Sequence, residues 1–283
     1  MAQMAVTGVS VIIPYYRGES VICDALDSLR TQTSNNFEVV IVDDKSPTDI
    51  PARALDRLSQ LEHRIVRLPR NVGTGAARNE GAMAARHPVI TFLDQDDWLA
   101  DNAVAEMAAG VGPRTAVAFD NHLTLRLSNG DLRDVGETVF GRAGWDRSMM
   151  APSEQELFMR SGFPMLKLGV SKGDFERSGG YSANTFGIED FLLVWRLLSR
   201  GVTLHFYPPL GTHTISGEST TTMISTSGSG YLRACWSWLR VWGEIACSPH
   251  ASSSTRMVAS RYFLHALPPL VKAQMKMALP GLR

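Results

Sequence analysis

The sequence has little of what marks secreted, membrane-spanning or nucleic-acid-binding proteins. Its three cysteines, Cys23, Cys235 and Cys247, are too few and too far apart for a disulfide framework or a zinc site. Lys plus Arg and Asp plus Glu number 28 each, so no net field attracts nucleic acid. No apolar run reaches the roughly 20 residues of a spanning helix, and the N-terminus lacks the basic start of a signal peptide. We therefore expect a cytoplasmic protein that does not bind nucleic acid.

What the sequence does contain is a regular alternation of apolar strands and helices. The predicted strands are residues 9–14, 37–42, 63–68 and 89–93, and the predicted helices are residues 21–29, 48–61, 75–86 and 102–109. This alternation predicts an α/β fold, with a mostly parallel sheet flanked by helices on both faces. Ligands of such sheets bind at the carboxyl ends of the strands, where three polar segments of this sequence converge.

The second half of the sequence is less regular. Residues 117–163 contain only short strand-like pieces, which we interpret as a variable insertion over the site. Further along, the pattern predicts a strand at 165–170, a helix at 189–199, a strand at 202–207, a Ser/Thr/Gly-rich linker at 216–230 and a helical C-terminal extension at 231–283.

Three carboxylates, Asp94, Asp96 and Asp97, directly follow the fourth predicted strand. Like charges this close repel and raise one another's pKa unless a cation offsets them. Mg²⁺ or Mn²⁺ is the cation that commonly bridges such carboxylates to phosphate oxygens. The alternative is that the aspartates cap the following helix, an interpretation that suits Asp97.

Two other polar segments lie at strand ends. Asp43 and Asp44 could accept hydrogen bonds from a base or ribose, or could simply begin a turn. The segment from Gly73 to Gly75 is not a dinucleotide fingerprint, because Arg78 stands where the third glycine would be. Arg78 could still face a phosphate from its helix N-terminus, or it could be a surface arginine.

Glu189 and Asp190 begin the helix predicted at 189–199. Acidic residues suit the helix macrodipole there, but one of them could also be a general base that removes a proton from a hydroxyl group. The histidines are scattered, and a core or surface position is the simpler interpretation of each. Among them, His213 is the better candidate for a metal ligand or a phosphate contact.

Together these segments resemble family 2 glycosyltransferases, which have the Rossmann-like GT-A fold. The resemblance covers roughly residues 8–220, and the order and spacing of its motifs are highly specific. It rests on VSVIIPYYR at 9–17, FEVVIVDDKS at 37–46, RNVGTGAARNEG at 70–81, VITFLDQDDWL at 89–99 and SGGYSANTFGIEDFLLVWRL at 178–197. It implies a catalytic domain at 1–215, with a nucleotide-sugar half at about 8–115 and an acceptor half at about 116–215.

The resemblance also implies an activity, which is inverting transfer from a nucleotide-sugar, most often a UDP-sugar, to an acceptor hydroxyl of a glycan or lipid-linked precursor. Asp190 would be the general base, and Glu189 would help to position the acceptor. The D-x-D pair would touch ribose and the metal-bound diphosphate. The residues implied to bind the donor are Pro14, Tyr15, Asp44, Arg78, Asp94 and Asp96, and those implied to hold Mn²⁺ or Mg²⁺ are Asp96, Asp94 and His213.

Two features depart from the family pattern or lie outside it. Many members carry a histidine where our alignment places Ser216, so His213 is the nearest substitute for the third metal contact. In the C-terminal extension, a stripe from Leu232 to Ala246 contains Trp236 and Trp242, which suits peripheral contact with the inner face of the plasma membrane. The alternative is that this stripe packs on the catalytic domain, or on a second subunit in a homodimer.

Two other functions remain open on the sequence alone. One is a catalytically silent subunit that binds a sugar nucleotide within a glycan assembly complex; the Asp44, Asp96 and Asp190 carboxylates argue against it. The other is a sugar nucleotidylyltransferase, although such enzymes usually carry a glycine-rich basic loop after the first strand. Pro14-Tyr15-Tyr16-Arg17 stands there instead.

Overall fold

The computed structural model describes residues 7–127, 130–138, 149–150, 167–183, 185, 188–216 and 229–266. The strands in these residues are β1 (Val9–Tyr15), β2 (Phe37–Asp43), β3 (His63–Arg67), β4 (Val89–Phe92), β5 (Trp98–Leu99), β6 (Thr115–Arg126), β7 (Leu132–Thr138), β8 (Met149–Met150), β9 (Lys167–Ser171) and β10 (Thr203–Ser216). The helices are α1 (Ile22–Arg30), α2 (Ala52–Leu58), α3 (Thr74–Ala84), α4 (Ala103–Gly110), α5 (Lys172–Ser178), α6 (Glu189–Ser199), α7 (Ser229–Cys247) and α8 (Ser253–Ala266).

All ten strands belong to one sheet, in the order β3-β2-β1-β4-β9-β6-β10-β5, with β7 on β6 and β8 on β10. β1 pairs in parallel with β2 and with β4, so Val9 faces Phe37 on one side and Val89 on the other. The longest pairing, β6 with β10, is also parallel, whereas β9 runs antiparallel between β4 and β6. The predicted α/β fold with a mostly parallel central sheet is therefore confirmed.

Helices cover both faces of this sheet because side chains alternate along each strand. On β1, Ile12 points to the core under α3, α5, α6, α7 and α8, whereas Val11 and Ile13 point to the core under α1, α2 and α4. β1 and β2 are fully buried along their length, as strands covered on both faces must be. This burial fixes their register, so the residues that follow each strand emerge at one edge of the sheet.

Some elements differ from their sequence-based boundaries for identifiable reasons. The helix predicted at 48–61 is the shorter α2, because Pro51 takes the N-cap position in an extended conformation. The pieces predicted near residues 115–127 form one 12-residue strand, β6. The strand predicted to end at Tyr207 continues to Ser216, and its register on β6 shifts between Tyr207 and Gly211. That irregularity accommodates two prolines, which cannot donate to a sheet ladder.

The C-terminal helices α7 and α8 pack on the face that carries α6. Trp238 and Trp242 stack on each other with ring centroids 5.2 Å apart, and both make edge contacts with Phe191 of α6. Leu239 and Trp242, two members of the predicted apolar stripe, are buried at 6% exposure each, whereas Trp236 is 57% exposed. This supports the packing interpretation for the buried part of the stripe. Within the described residues, none of the helices is both long and apolar enough to cross a bilayer.

Candidate functional site

The sequence-predicted polar residues meet at the carboxyl edge of strands β1 to β4. Asp44 follows β2, the loop at 68–73 follows β3, and Asp94 to Asp97 follow β4. The N-termini of α3 and α6 point to the same edge and bring Arg78 and Asp190 there. This is the position at which ligands bind in open α/β sheets.

Arg78 is the centre of the site. Its side chain is only 6% exposed, and its Nη2 lies 2.5 Å from Asp94 Oδ1. Its Nη1 lies 3.3 Å from Asp190 Oδ1 and 3.7 Å from Glu189 Oε1. One guanidinium group therefore joins the D-x-D segment to the acidic start of α6. The sequence-based interpretation of a surface arginine is wrong, because a buried arginine needs these carboxylates to offset its charge.

The electrostatics of this cluster favour a fully charged arginine. Burial opposes that charge, but Asp94 and Asp190 hold the pKa of Arg78 well above its usual value. The ring of Tyr181 adds a further contact, since Arg78 Cζ lies 5.0 Å from its centroid.

Asp190 has the properties of a weak base poised near neutral pH. Burial raises its pKa to about 6, with Glu189 and Asp94 acting in the same direction and Arg78 and the Tyr181 hydroxyl opposing it. A general base is most effective when its pKa approaches the working pH. Asp190 and Glu189 also occupy the first turn of α6, where the helix macrodipole stabilises negative charge.

Gln95, between the two aspartates of the D-x-D segment, has a role that the sequence did not reveal. Its Oε1 accepts a hydrogen bond from the Tyr16 backbone N–H at 3.0 Å, and its Nε2 donates to the Tyr16 carbonyl at 3.0 Å. The amide thus fastens the loop after β1 to the loop after β4. No local pattern signals this contact, because the two residues are 79 positions apart.

The three neighbouring aspartates have three different environments. Asp94 pairs with Arg78, and Asp97 is completely buried beside Lys167, with Nζ 2.5 Å from its Oδ2. Asp97 Oδ1 also accepts the Thr214 backbone N–H at 2.8 Å. The expectation that Asp97 caps the following helix is therefore wrong: α4 begins at Ala103 with Asn102 as its N-cap, and Asp97 instead fastens β9 and β10 together.

Asp96, the third of these aspartates, differs from the other two in its charge environment. Burial, Asp97 and Asp94 raise its pKa to about 6. Within the described residues, no side-chain cation forms an ion pair with it. A half-buried carboxylate in this state has the charge and the hard oxygen atoms that Mg²⁺ and Mn²⁺ favour, so the site fits such an ion.

The described residues do not by themselves complete a metal site. None of their His, Cys, Asp and Glu side chains forms a group of three suited to a metal ion. Mg²⁺ usually takes only one or two carboxylates and completes its shell with phosphate oxygens and water. His213 lies in β10 opposite Leu123, and its side chain is outside what the structure describes.

Asp44 holds the loop that begins α3. Its two carboxylate oxygens accept the backbone N–H groups of Val72, at 2.7 Å, and Gly73, at 2.9 Å. Gly73 adopts φ +86°, a left-handed conformation that glycine reaches without strain. Burial raises the pKa of Asp44 and these two hydrogen bonds lower it. The predicted contact of Asp44 with a base would thus be made by a carboxylate already engaged with this loop.

Pro14 and Tyr15, the other residues predicted to line a nucleotide pocket, end β1 and are buried. Tyr15 pairs with Asp43 in the parallel ladder, and Asp43 Oδ1 accepts the Ser46 backbone N–H at 2.8 Å. Tyr16, at 38% exposure, is the first accessible side chain after the strand. The nucleotide contact of Pro14 and Tyr15 stays a prediction.

Residues 10–136, which contain most of the residues of this site, are similar to proteins of known family. They match the family model described as glycosyl transferase family 2. The resemblance to family 2 glycosyltransferases is therefore confirmed over these residues. The poly(ribitol-phosphate) beta-glucosyltransferase of Bacillus spizizenii is 36% identical over 101 residues, which are 34% of this chain and 16% of that protein. The chain covers less than two thirds of the length of these curated relatives, for example 38% of one and 18% of another.

Solved structures with the GT-A fold extend the likeness in fold to nearly the whole chain. TarS 1–349 of S. aureus in complex with UDP-GlcNAc aligns with a TM-score of 0.69 at 16% identity, covering 97% of this chain and 76% of that chain. The mannosyltransferase PcManGT of Pyrobaculum calidifontis, in complex with GDP-Man and Mn²⁺, aligns with a TM-score of 0.64 at 16% identity, covering 99% and 77%. At this identity they establish the fold, and the predicted GT-A fold is confirmed.

Proposed function

We propose that the protein transfers a sugar from a nucleotide-sugar to an acceptor hydroxyl, with inversion at the anomeric carbon and Asp190 as general base. The observation that carries this proposal is the position of Arg78, whose guanidinium contacts both Asp94 and Asp190. A donor diphosphate near Asp94 and an acceptor near Asp190 would therefore lie on either side of one buried cation. A single displacement needs donor and acceptor to be held side by side in this way.

On the donor side, we assign the diphosphate to Asp94 and Asp96 and the nucleoside to Pro14, Tyr15 and Asp44. A Mg²⁺ or Mn²⁺ ion held by Asp96 and Asp94, with His213 as the proposed third ligand, would offset charge on the departing diphosphate. Asp96 forms no ion pair with a side-chain cation in the part of the chain that the structure describes, and its pKa is raised to about 6, which supports this assignment. We propose UDP as the nucleotide, with GDP as the alternative, because one structural neighbour holds UDP-GlcNAc and another holds GDP-Man.

On the acceptor side, Asp190 takes the proton of the acceptor hydroxyl. The hydroxyl oxygen bonds to the anomeric carbon as the bond to the diphosphate breaks on the opposite face. Glu189 is proposed to position the acceptor, and its Oε2 has no hydrogen-bond partner within the described part of the chain, which suits a sugar hydroxyl. Proximity of the two substrates and electrostatic stabilisation of the leaving group would supply most of the rate.

The acceptor is proposed to be a glycan or a lipid-linked precursor, as the name of the poly(ribitol-phosphate) beta-glucosyltransferase relative suggests. A lipid-linked acceptor would place the enzyme at the inner face of the plasma membrane. The exposed indole of Trp236 on α7 would suit that contact, or a homodimer interface.

The test is release of nucleoside diphosphate from a panel of UDP- and GDP-sugars with Mn²⁺, Mg²⁺ or EDTA. We expect slow release from one donor, stopped by EDTA and restored by excess metal. A donor that binds by calorimetry but is never turned over, even with candidate glycan acceptors, would instead favour the catalytically silent subunit. Release of pyrophosphate from a nucleoside triphosphate would favour the nucleotidylyltransferase.

A further inference from the structure

Tyr181 lies in the turn between α5 and α6, and its backbone is fixed by α3. Asn79 Nδ2 donates to the Tyr181 carbonyl at 2.9 Å, and Asn79 Oδ1 accepts the Tyr181 N–H at 2.9 Å. Gly180 precedes it with φ +62°, and a Cβ there would lie 2.7 Å from Asn79 Oδ1. Arg196 of α6 donates from Nη1 to the Gly180 carbonyl at 3.0 Å. Side chains of α3 and α6 therefore hold this turn in place.

The aromatic ring of Tyr181 is equally confined. Phe92 meets it edge-on with centroids 5.0 Å apart, and Phe175 packs at 5.8 Å. Arg78 lies over the ring, and only 5% of the residue is exposed. A ring packed on these sides has little rotational freedom, so its hydroxyl is aimed at one place. That place is the carboxylate of Asp190, because Arg78, which lies over the ring, also holds Asp190 Oδ1 at 3.3 Å from its Nη1. The electrostatics of Asp190 are consistent with this, since the Tyr181 hydroxyl acts on it as a hydrogen-bond donor.

We infer that Tyr181 is a positioning residue for the transfer reaction: its hydroxyl donates to Asp190 and orients that carboxylate beside Arg78 for proton removal. The inference rests on the proposed function, because it gives Asp190 the role of base. Burial and Asp190 hold the pKa of Tyr181 well above its usual value, so the hydroxyl keeps its proton, and towards an ionised carboxylate it donates.

The remaining charged groups that face Asp190 are Arg78 from α3, Glu189 from α6 and Asp94 from the loop after β4. Arg78 and the Tyr181 hydroxyl stabilise the ionised carboxylate, and Glu189 and Asp94 oppose it. Without the hydroxyl, the groups among the described residues that still favour ionisation are Arg78 and the N-terminus of α6. The pKa of Asp190 should then rise above its present value of about 6.

The experiment compares Tyr181→Phe with the wild type in pH profiles of nucleoside diphosphate release. The variant keeps the ring and its packing. We expect kcat at pH 7 to fall about tenfold, as for loss of one hydrogen bond to a charged group, and the acid limb of the profile to move up by about one pH unit. Donor KM should be unchanged. Tyr207→Phe in β10 removes a phenolic hydroxyl outside the site and should leave rate and profile unchanged.

A wild-type rate and acid limb in Tyr181→Phe would overturn the inference. So would a variant whose kcat falls with an unmoved acid limb, since that is what a general loss of structure produces. Thermal unfolding identifies a variant that fails to fold. Asn79→Ala is the second variant, because it loosens the same turn, and it should move the acid limb of the profile in the same direction. Failure of the proposed function would be seen separately, as full activity in Asp190→Asn.

Discussion

Replacing Arg78 with methionine should destabilise the protein in a pH-dependent way. The substitution removes the cation that Asp94 and Asp190 share and leaves both carboxylates near a buried apolar side chain. Removing one member of a buried ion pair typically costs about 3–5 kcal/mol. Asp94 is 33% exposed, so water offsets part of its loss, and we expect the lower end, about 3 kcal/mol at pH 8.

The sign of the pH dependence follows from Asp190, whose pKa is already raised to about 6. Without Arg78 it rises further, so the penalty is present above that pKa and is relieved as pH falls and the carboxyl gains a proton. Urea unfolding followed by tryptophan fluorescence should show a loss of about 3 kcal/mol at pH 8 and clearly less at pH 5.5.

Arg86→Met is the matched control for this experiment. Arg86 lies just beyond α3 and pairs with Glu62, but the two side chains are 62% and 58% exposed. Exposed pairs contribute about 0–1 kcal/mol, so this variant should unfold almost as the wild type does at both pH values. Equal, small and pH-independent losses in the two variants would refute the view that Arg78 is a buried, shared counter-ion.

Three further predictions follow from the same contacts. Mn²⁺ binding, measured by calorimetry, should weaken at least about tenfold between pH 7 and pH 5, because Asp96 with a pKa of about 6 must lose its proton to bind, and Asp96→Asn should weaken binding at pH 7 and reduce this dependence. Asp44→Asn should cost about 1–3 kcal/mol in thermal unfolding and weaken donor binding, since an amide cannot accept both the Val72 and Gly73 N–H groups. Lys167→Met should cost about 3–5 kcal/mol by removing the lysine that offsets the buried charge of Asp97, and the double variant with Asp97→Asn should recover part of that loss; a purely additive result would contradict the pairing.

Local pattern was enough to predict the framework of the fold. The helix predicted at 189–199 is α6 to the residue, because its apolar spacing and acidic first turn are local signals. The burial of β1 and β2 on both faces followed from their continuous apolar runs. From those strands it could be predicted that Asp44 and Asp94 emerge at one edge, since parallel strands end together.

The contacts that organise the site could not be predicted in this way. Arg78 and Asp190 are 112 positions apart, and no period in the sequence relates them. The amide bridges from Asn79 to Tyr181 and from Gln95 to Tyr16 also join distant loops, and Asn and Gln there resemble ordinary turn or surface residues. The sequence alone showed that Asp94, Asp96 and Asp97 need a cation nearby, but not which one. The fold answers this in part with Arg78 for Asp94 and Lys167 for Asp97.

The central claim is that Asp190 is the base of an inverting transfer, and Asp190→Asn tests it most directly. The variant is nearly isosteric, and Arg78 keeps its contact with Asp94. Donor affinity by calorimetry and the initial rate of nucleoside diphosphate release should be measured together, with Glu189→Gln as the neighbouring control. The account predicts donor binding close to wild type and a rate at least about 100-fold lower in Asp190→Asn. A rate close to wild type, with the donor still bound, would contradict it.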